Sequence, residues 1–173
     1  ARTILNEGLP YDRSTVAILT GLGSREGLDG HDIVDSGKHF NVMRTAVDVV
    51  LSKGCAVLNA DDVALLPLAE LCDGEVIWFS ETADNAILQA HFSQGGRGAY
   101  LQGGIIHFQA GRDSIHRLIA LDRFQGLLTA QGALATVATA WALNLKPALI
   151  QASLDFYLEK RWAKNPSNQR VEA

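Results

Sequence analysis

Apolar positions come in short, nearly continuous runs. Val16-Ala17-Ile18-Leu19, Cys55-Ala56-Val57-Leu58 and Val76-Ile77-Trp78-Phe79 each stay apolar for four residues and then turn polar. Runs of this length without polar alternation fit strands covered on both faces, as in a parallel sheet. Between the first two runs, Phe40, Met43, Val47, Val50 and Leu51 recur at helical spacing, with Gly54 as the predicted cap. Between the second and third, Asp61 or Asp62 is the predicted N-cap of a helix carrying Ala64, Leu65, Leu68, Ala69 and Leu71. Strand, helix, strand, helix, strand predicts right-handed βαβ units in a parallel sheet.

The flanks read differently. Residues 1–15 predict an extended entry with a turn at Pro10-Tyr11-Asp12-Arg13. Gly21 to Gly37 is a long polar loop with glycines at 21, 23, 27 and 30 and acids at 26, 29, 32 and 35. Loops of this length in a compact domain are usually functional or mobile. Asp84 to Phe92 predicts a short helix ended by Gly95-Gly96. Ala99-Tyr100-Leu101 and Ile105-Ile106-His107-Phe108 predict a β-hairpin turning at Gln102-Gly103-Gly104, and Ile115 to Leu121 a third antiparallel strand. An alanine-rich helix is expected from about Leu127 to Leu143, stopped by Asn144. Pro147 opens a last helix toward Tyr157, and a polar tail follows from Lys160. The expected fold is α/β: a three-layer, mostly parallel sheet with a small antiparallel β-hairpin extension (strands about 97–121). One domain would span 1–160, with a polar tail over 161–173.

Composition narrows the partners. The chain has 173 residues, 47% hydrophobic and 20% charged, which suits one folded domain. A net charge of −4 argues against a general nucleic-acid binder, which needs a basic excess. Cys55 and Cys72 are too far apart in sequence for a CxxC zinc pair and read as core residues in a reducing, cytoplasmic compartment. No charged-then-apolar run opens the chain, and the apolar stretch from Ala133 to Leu145 is too short for a membrane span. The missing initial Met suggests a piece of something longer.

Several constellations carry chemistry. Thr20-Gly21-Leu22-Gly23-Ser24-Arg25-Glu26-Gly27 follows a strand, as a dinucleotide-binding turn does. That motif also needs a helix starting at its last glycine and an acid about 20 residues on, and the sequence offers neither. His31, Asp32, Asp35 and His39 have metal-ligand chemistry; the plainer reading is a solvated acidic loop at a helix start. Asp61-Asp62 end a strand where parallel sheets place ligands, and paired acids there can hold Mg²⁺ or a ribose; the plainer reading is a helix N-cap. His107 and His116 read as sheet decoration, Trp78 and Trp141 as core. Walker A, GxSxG and HExxH motifs are absent, so an ATPase could not work from this stretch alone.

The segment Arg2-Thr3-Ile4-Leu5-Asn6-Glu7-Gly8-Leu9-Pro10-Tyr11-Asp12-Arg13 resembles a stretch of the cyanophycin synthetases. So do Val16–Thr20, Arg44–Leu51, Ala56–Asp62, Leu71–Ile77, Gly95-Gly96-Arg97 and Ala135–Leu143, in the same order. The resemblance implies the second half of a Mur-ligase-like, P-loop-type central ATP-binding domain. Such a ligase activates a carboxylate as an acyl phosphate with MgATP, and an amine attacks it; cyanophycin synthetases add arginine to aspartate side chains of a polymer. It also implies Thr20, Glu26, Asp61 and Asp62 as nucleotide-side residues, with Glu26 at the metal, and names no catalytic residue. Departures accompany it. Gly21 stands where the family has Asn, Glu26 where it has Asp, Gly27 where it has His, and Gly132 where it has the adenine-side Asn. The phosphate-loop half and the domain that closes over the nucleotide lie outside the resemblance and are the expected partners, alongside a second copy. The chain reads as a fragment or degenerate relative of such a ligase, inactive and binding neither ATP nor Mg²⁺ alone. The rival reading is a non-catalytic scaffold or binding module; a Rossmann oxidoreductase is a distant third.

Overall fold

Six strands form one mixed sheet in the order β1-β2-β3-β4-β5-β6 in the computed structural model, which describes residues 1–124 and 127–163. They are β1 (Ser14–Leu19), β2 (Val50–Asn59), β3 (Glu75–Ser80), β4 (Arg97–Gln102), β5 (Ile105–Ala110) and β6 (Ser114–Ala120). β1 to β4 run parallel, whereas β4–β5 and β5–β6 are antiparallel. The helices are α1 (Arg2–Glu7), α2 (Ser36–Asp48), α3 (Leu66–Leu71), α4 (Ala86–Ser93), α5 (Ala130–Ala142) and α6 (Pro147–Ala163). α2, α3 and α4 are the crossovers that parallel neighbours require.

The sheet buries different residues on its two faces. Val57, Ile77, Phe79 and Ala99 pack with Ala133, Leu134, Val137 and Trp141 of α5 and with Ile150 and Leu158 of α6. Their chain neighbours Ala56, Leu58, Trp78 and Tyr100 point the other way, onto Val47 of α2, Leu68 of α3 and Leu88 and Phe92 of α4. Burial of each large side chain contributes about 1.5–3 kcal/mol, so β2 and β3 hold both helix sets to the sheet. At the amino ends of β3 and β4, Arg97 donates twice to Glu75, at 2.6 Å each, and lies 5.0 Å from the Trp141 ring, which stacks on Phe108 at 4.6 Å. Among the described residues no helix is long and apolar enough to cross a membrane.

Several expectations needed correction. Arg2–Glu7 is a helix, not part of an extended entry. Val50 and Leu51 are in β2, not in the preceding helix, because α2 stops at Asp48 and β-branched Val49 and Val50 favour a strand. Gly54 lies within β2 rather than capping α2: a Cβ there would sit 2.6 Å from Thr15 O. The register between β1 and β2 shifts here, from Ser14↔Val50 to Val16↔Cys55. α5 starts at Ala130, after its Thr129 cap, leaving Leu127 and Leu128 exposed. β4 is shared: it is the hairpin's first strand and also the fourth parallel strand. α6 continues past Tyr157 to Ala163, and the rest of the expected tail, 164–173, lies outside the described residues.

Gly74 precedes β3 and presses on the backbone of the irregular start of β2. A Cβ there would meet the Gly54 carbonyl and lie 2.7 Å from Leu51 O. Gly74→Ala is expected to destabilise the chain by about 1–3 kcal/mol. Gly30→Ala, with nothing within 4 Å, should stay within about 0.5 kcal/mol. Urea midpoints by circular dichroism compare the two.

Candidate functional site

The buried polar side chains Asn59 and Ser80 sit at the carboxyl ends of β2 and β3. Strands buried on both faces leave room for polar groups only at their tips, and at this edge open α/β sheets hold ligands. Asn59 donates from Nδ2 to Thr20 O at 3.0 Å, and its Oδ1 accepts from the Asp61 N–H at 3.0 Å. Gln131, in the first turn of α5, donates to the same Thr20 carbonyl at 3.2 Å. The tips of β1 and β2 and the start of α5 therefore meet at Thr20.

Asp61 joins β2 to β3 and α4. Its Oδ1 accepts from Ser80 Oγ at 2.6 Å and from Asn85 Nδ2 at 3.1 Å, and its Oδ2 accepts from the Glu81 N–H at 2.7 Å. Asn85 is itself an N-cap: its Oδ1 accepts from the Ile87 and Leu88 N–H groups at 3.0 and 3.2 Å, while Nδ2 also donates to Ala60 O. Asp62 caps the 3-10 turn Val63–Leu65 by accepting from the Ala64 N–H at 3.0 Å. Its other oxygen accepts from the Leu22 N–H at 3.2 Å, which pins the loop after β1. Thr20, Asp61 and Asp62 thus share one edge. Glu26 stands apart on the exposed β1–α2 loop, its amide donating to Ser24 Oγ, and no hydrogen bond joins it to either aspartate.

The polar loop from Gly21 to Asp35 contains only the 3-10 turn Asp29–His31, so no helix begins at Gly27 as a dinucleotide turn would need. The four residues with ligand chemistry do not converge. Asp35 caps α2 through the Lys38 N–H, Asp32 pairs with the Lys38 side chain, and His39 is buried. Among the described residues no three His, Cys, Asp or Glu side chains are arranged to hold a metal ion. The strand-tip carboxylates face donors of the chain itself, so they do not by themselves fit the magnesium that the resemblance implies. Burial pushes the thiol of the free Cys55 up to about 12 and raises that of the free Cys72, which disfavours the thiolate that a nucleophile needs.

Asn59, Ser80, Asn85 and Gln131 were not singled out from the sequence. Asn85 had a signal, since Asn just before an apolar helical run marks an N-cap. Ser80 and Asn59 had a weaker one as polar residues closing apolar runs. Gln131 had none, because its partner lies 111 positions away.

Two tests follow from these roles. Asp61→Ala leaves the Ser80, Asn85 and Glu81 donors without their acceptor and is expected to cost about 2–3 kcal/mol, whereas Asp62→Ala loses a cap and a loop anchor, about 1 kcal/mol; chemical denaturation ranks them, and equal, negligible losses would mark both as ligand residues only. His39 and His91 each have a buried Nε2 without a partner, and desolvation, chiefly, lowers both pKa values below 6.5. The unfolded chain then binds more protons just below that value, so stability is full above about pH 6.5 and falls as pH drops through the folded values. Denaturation at pH 7 and pH 5 should show this loss, and it should shrink in a His39→Leu, His91→Leu double variant.

No family model matches the chain. It is 33% identical over 109 residues to a cyanophycin synthetase of Crocosphaera subtropica, a match covering 63% of this chain and 12% of that protein. It is 29% identical over 109 residues to the cyanophycin synthetase of a Synechocystis species (62% and 12% covered), and 27% identical over 116 residues to that of Trichormus variabilis (66% and 12%). The matched stretch spans about 12% of the length of these curated relatives. By sequence, this chain is a relative of the cyanophycin synthetases.

Proposed function

We propose that the chain is a divergent segment of a cyanophycin-synthetase-like, ATP-dependent amide ligase. Residues 1–160 would form part of its Mur-ligase-like central domain, a three-layer unit with helices on both faces of the sheet. The observation that supports this best is the tied strand edge, where Thr20, Asp61 and Asp62 meet at the carboxyl ends of parallel strands. ATP and Mg²⁺ would be held mainly by parts of a parent protein outside these residues: a phosphate-loop half and a domain that closes over the nucleotide. When bound, they would activate a carboxylate as an acyl phosphate for attack by an amine. In that assembly this segment's own residues hold the edge of the nucleotide cleft in shape, and Glu26, exposed on the nearby loop, is an acid that could approach a metal. The work would take place in the cytoplasm, without nucleic acid or membrane.

A second reading, a non-catalytic scaffold or binding module, is favoured by the internal hydrogen bonds of Asp61, which a structural tie between the ends of β2 and β3 and the start of α4 explains. The test is MgATP-dependent ADP release by the full-length parent, coupled to amide formation between an aspartyl peptide and an amino acid such as arginine. Coupled release is expected, with no calorimetric signal for MgATP on the 173-residue chain alone. A parent that releases no ADP overturns the ligase reading in favour of the scaffold.

A further inference from the structure

We propose that the loop between β1 and α2 is an acid-released latch on the strand-tip edge: a proton on the buried His39 side chain opens the loop and frees Asp62 Oδ2 from the Leu22 amide, while the sheet stays folded. What the freed oxygen then meets rests on the ligase reading above; the opening itself does not.

Two side chains of this loop, Leu28 and Ile33, are buried yet belong to neither of the clusters that pack the two faces of the sheet. A long loop with its own small buried set is a satellite of the core, and such a unit can open without the core. His39 is in the first turns of α2, four residues before Met43 and eight before Val47, so it shares their side of the helix. Met43 and Val47 pack onto the sheet. His39 is only 3% exposed, and its Nε2 has no hydrogen-bond partner among the described residues.

A proton on that nitrogen would leave a buried cation without an acceptor. The charges facing the ring add to the cost: the amine of Ala1, just before α1, and Arg25 of the loop both disfavour its protonation. Where a residue precedes Ala1 that amine is a neutral amide, and Arg25 remains. At the start of α2, Asp35 is turned to the Lys38 amide and Asp32 to the Lys38 ammonium, so both are engaged elsewhere. Glu26, Asp29 and His31, the other titratable groups of the loop, are exposed. Desolvation, chiefly, holds the folded pKa of His39 below 6.5. An opened loop returns the ring to water and to its ordinary value, so the open form binds more protons and gains as pH falls.

The side-chain ties that hold the loop down lie near the surface. Leu22 N–H donates to Asp62 Oδ2 at 3.2 Å, Arg2 donates to Gly27 O at 3.3 Å, and the Lys38–Asp32 pair is exposed. Exposed pairs of this kind hold weakly. Arg25 donates to Val34 O at 3.0 Å within the loop itself and so moves with it. His91, which also has an unpartnered buried Nε2, is placed differently: it is pressed against Gly96 where β4 begins, and no surface loop can move away to relieve it.

Hydrogen exchange with mass spectrometry on the full-length parent, at about pH 5 and about pH 7.5 with each corrected for its intrinsic rate, tests this. Peptides across residues 21–35 should lose protection by about tenfold at the lower pH, with β2 unchanged. His39→Gln keeps a polar side chain that takes up no proton, and it should hold the loop's protection equal at both pH values. In the wild type the opening midpoint should lie below pH 6.5 and should not move in His31→Gln, a comparison that stands even if the His39 variant does not fold. Loss of protection in β2 together with the loop overturns the proposal. So does a loop already unprotected at the higher pH, a pH response that survives in His39→Gln, or one that vanishes in His31→Gln. The outcome is separable from ADP release: a loop that responds to pH in an inactive parent leaves the latch standing, and an active parent whose loop ignores pH leaves the ligase reading standing.

Discussion

Burial of β2 on both faces is the constraint on which the rest of this structure depends. Ala56 and Leu58 face one helix set, Val57 the other, and none is accessible to solvent. A strand in that position cannot turn back as a hairpin to its parallel neighbours, so the chain must cross over through helices. From Cys55 to Leu58 it also cannot place polar side chains without leaving them unpaired. The polar residues are pushed to the strand ends, and this is why Asn59, Asp61, Asp62 and Ser80 gather at one edge.

At that edge, chemistry and stability draw on the same atoms. A carboxylate that accepts from Ser80, Asn85 and the Glu81 amide holds the ends of β2 and β3 together at the start of α4. Each net hydrogen bond to a charged group is worth about 1.5–3 kcal/mol. A cation seated on Asp61 Oδ1 would compete with the bonds that build the site. Asp62, with one donor on each oxygen, keeps more spare acceptor capacity, and of the two it is the better candidate for outward contact.

The central strands and their crossovers were legible in the sequence because a short apolar run that turns polar at once, at Thr20, Asn59 and Ser80, has few other ways to fold. The cap at Asp62 and the antiparallel strands around Gly103-Gly104 were legible for the same local reason. What stayed hidden is non-local. Val50 and Leu51 continue the helical spacing of Phe40, Met43 and Val47, and the pairing of Val50 with Ser14 adds to the β-branched Val49 and Val50 in placing them in a strand. α1 lacks an apolar face to betray it: none of its residues is buried. The site was half legible. Asp61 and Asp62 were visible as acids at a strand end, but their binding partners Ser80, Asn85 and Leu22 are fixed by sheet order, which no short window contains.

The glycines at which the resemblance implies other side chains are fitted to their surroundings. At Gly27 the backbone has φ +72°, and the Arg2 guanidinium fills the space a side chain would take while donating to the Gly27 carbonyl at 3.3 Å. A histidine there would meet both a strained backbone and a cation. At Gly21 an added Cβ would lie 3.2 Å from Asp62 Oδ2, the oxygen that accepts from Leu22. At Gly132 it would lie 3.2 Å from the Thr129 hydroxyl that caps α5. Both are tight contacts in which the neighbour would have to give way. A side chain placed at any one of them would therefore disturb a bond that holds a loop or a helix start. The loop after β1 holds a conformation that needs glycine at Gly27, with Arg2 and Asp62 as its anchors.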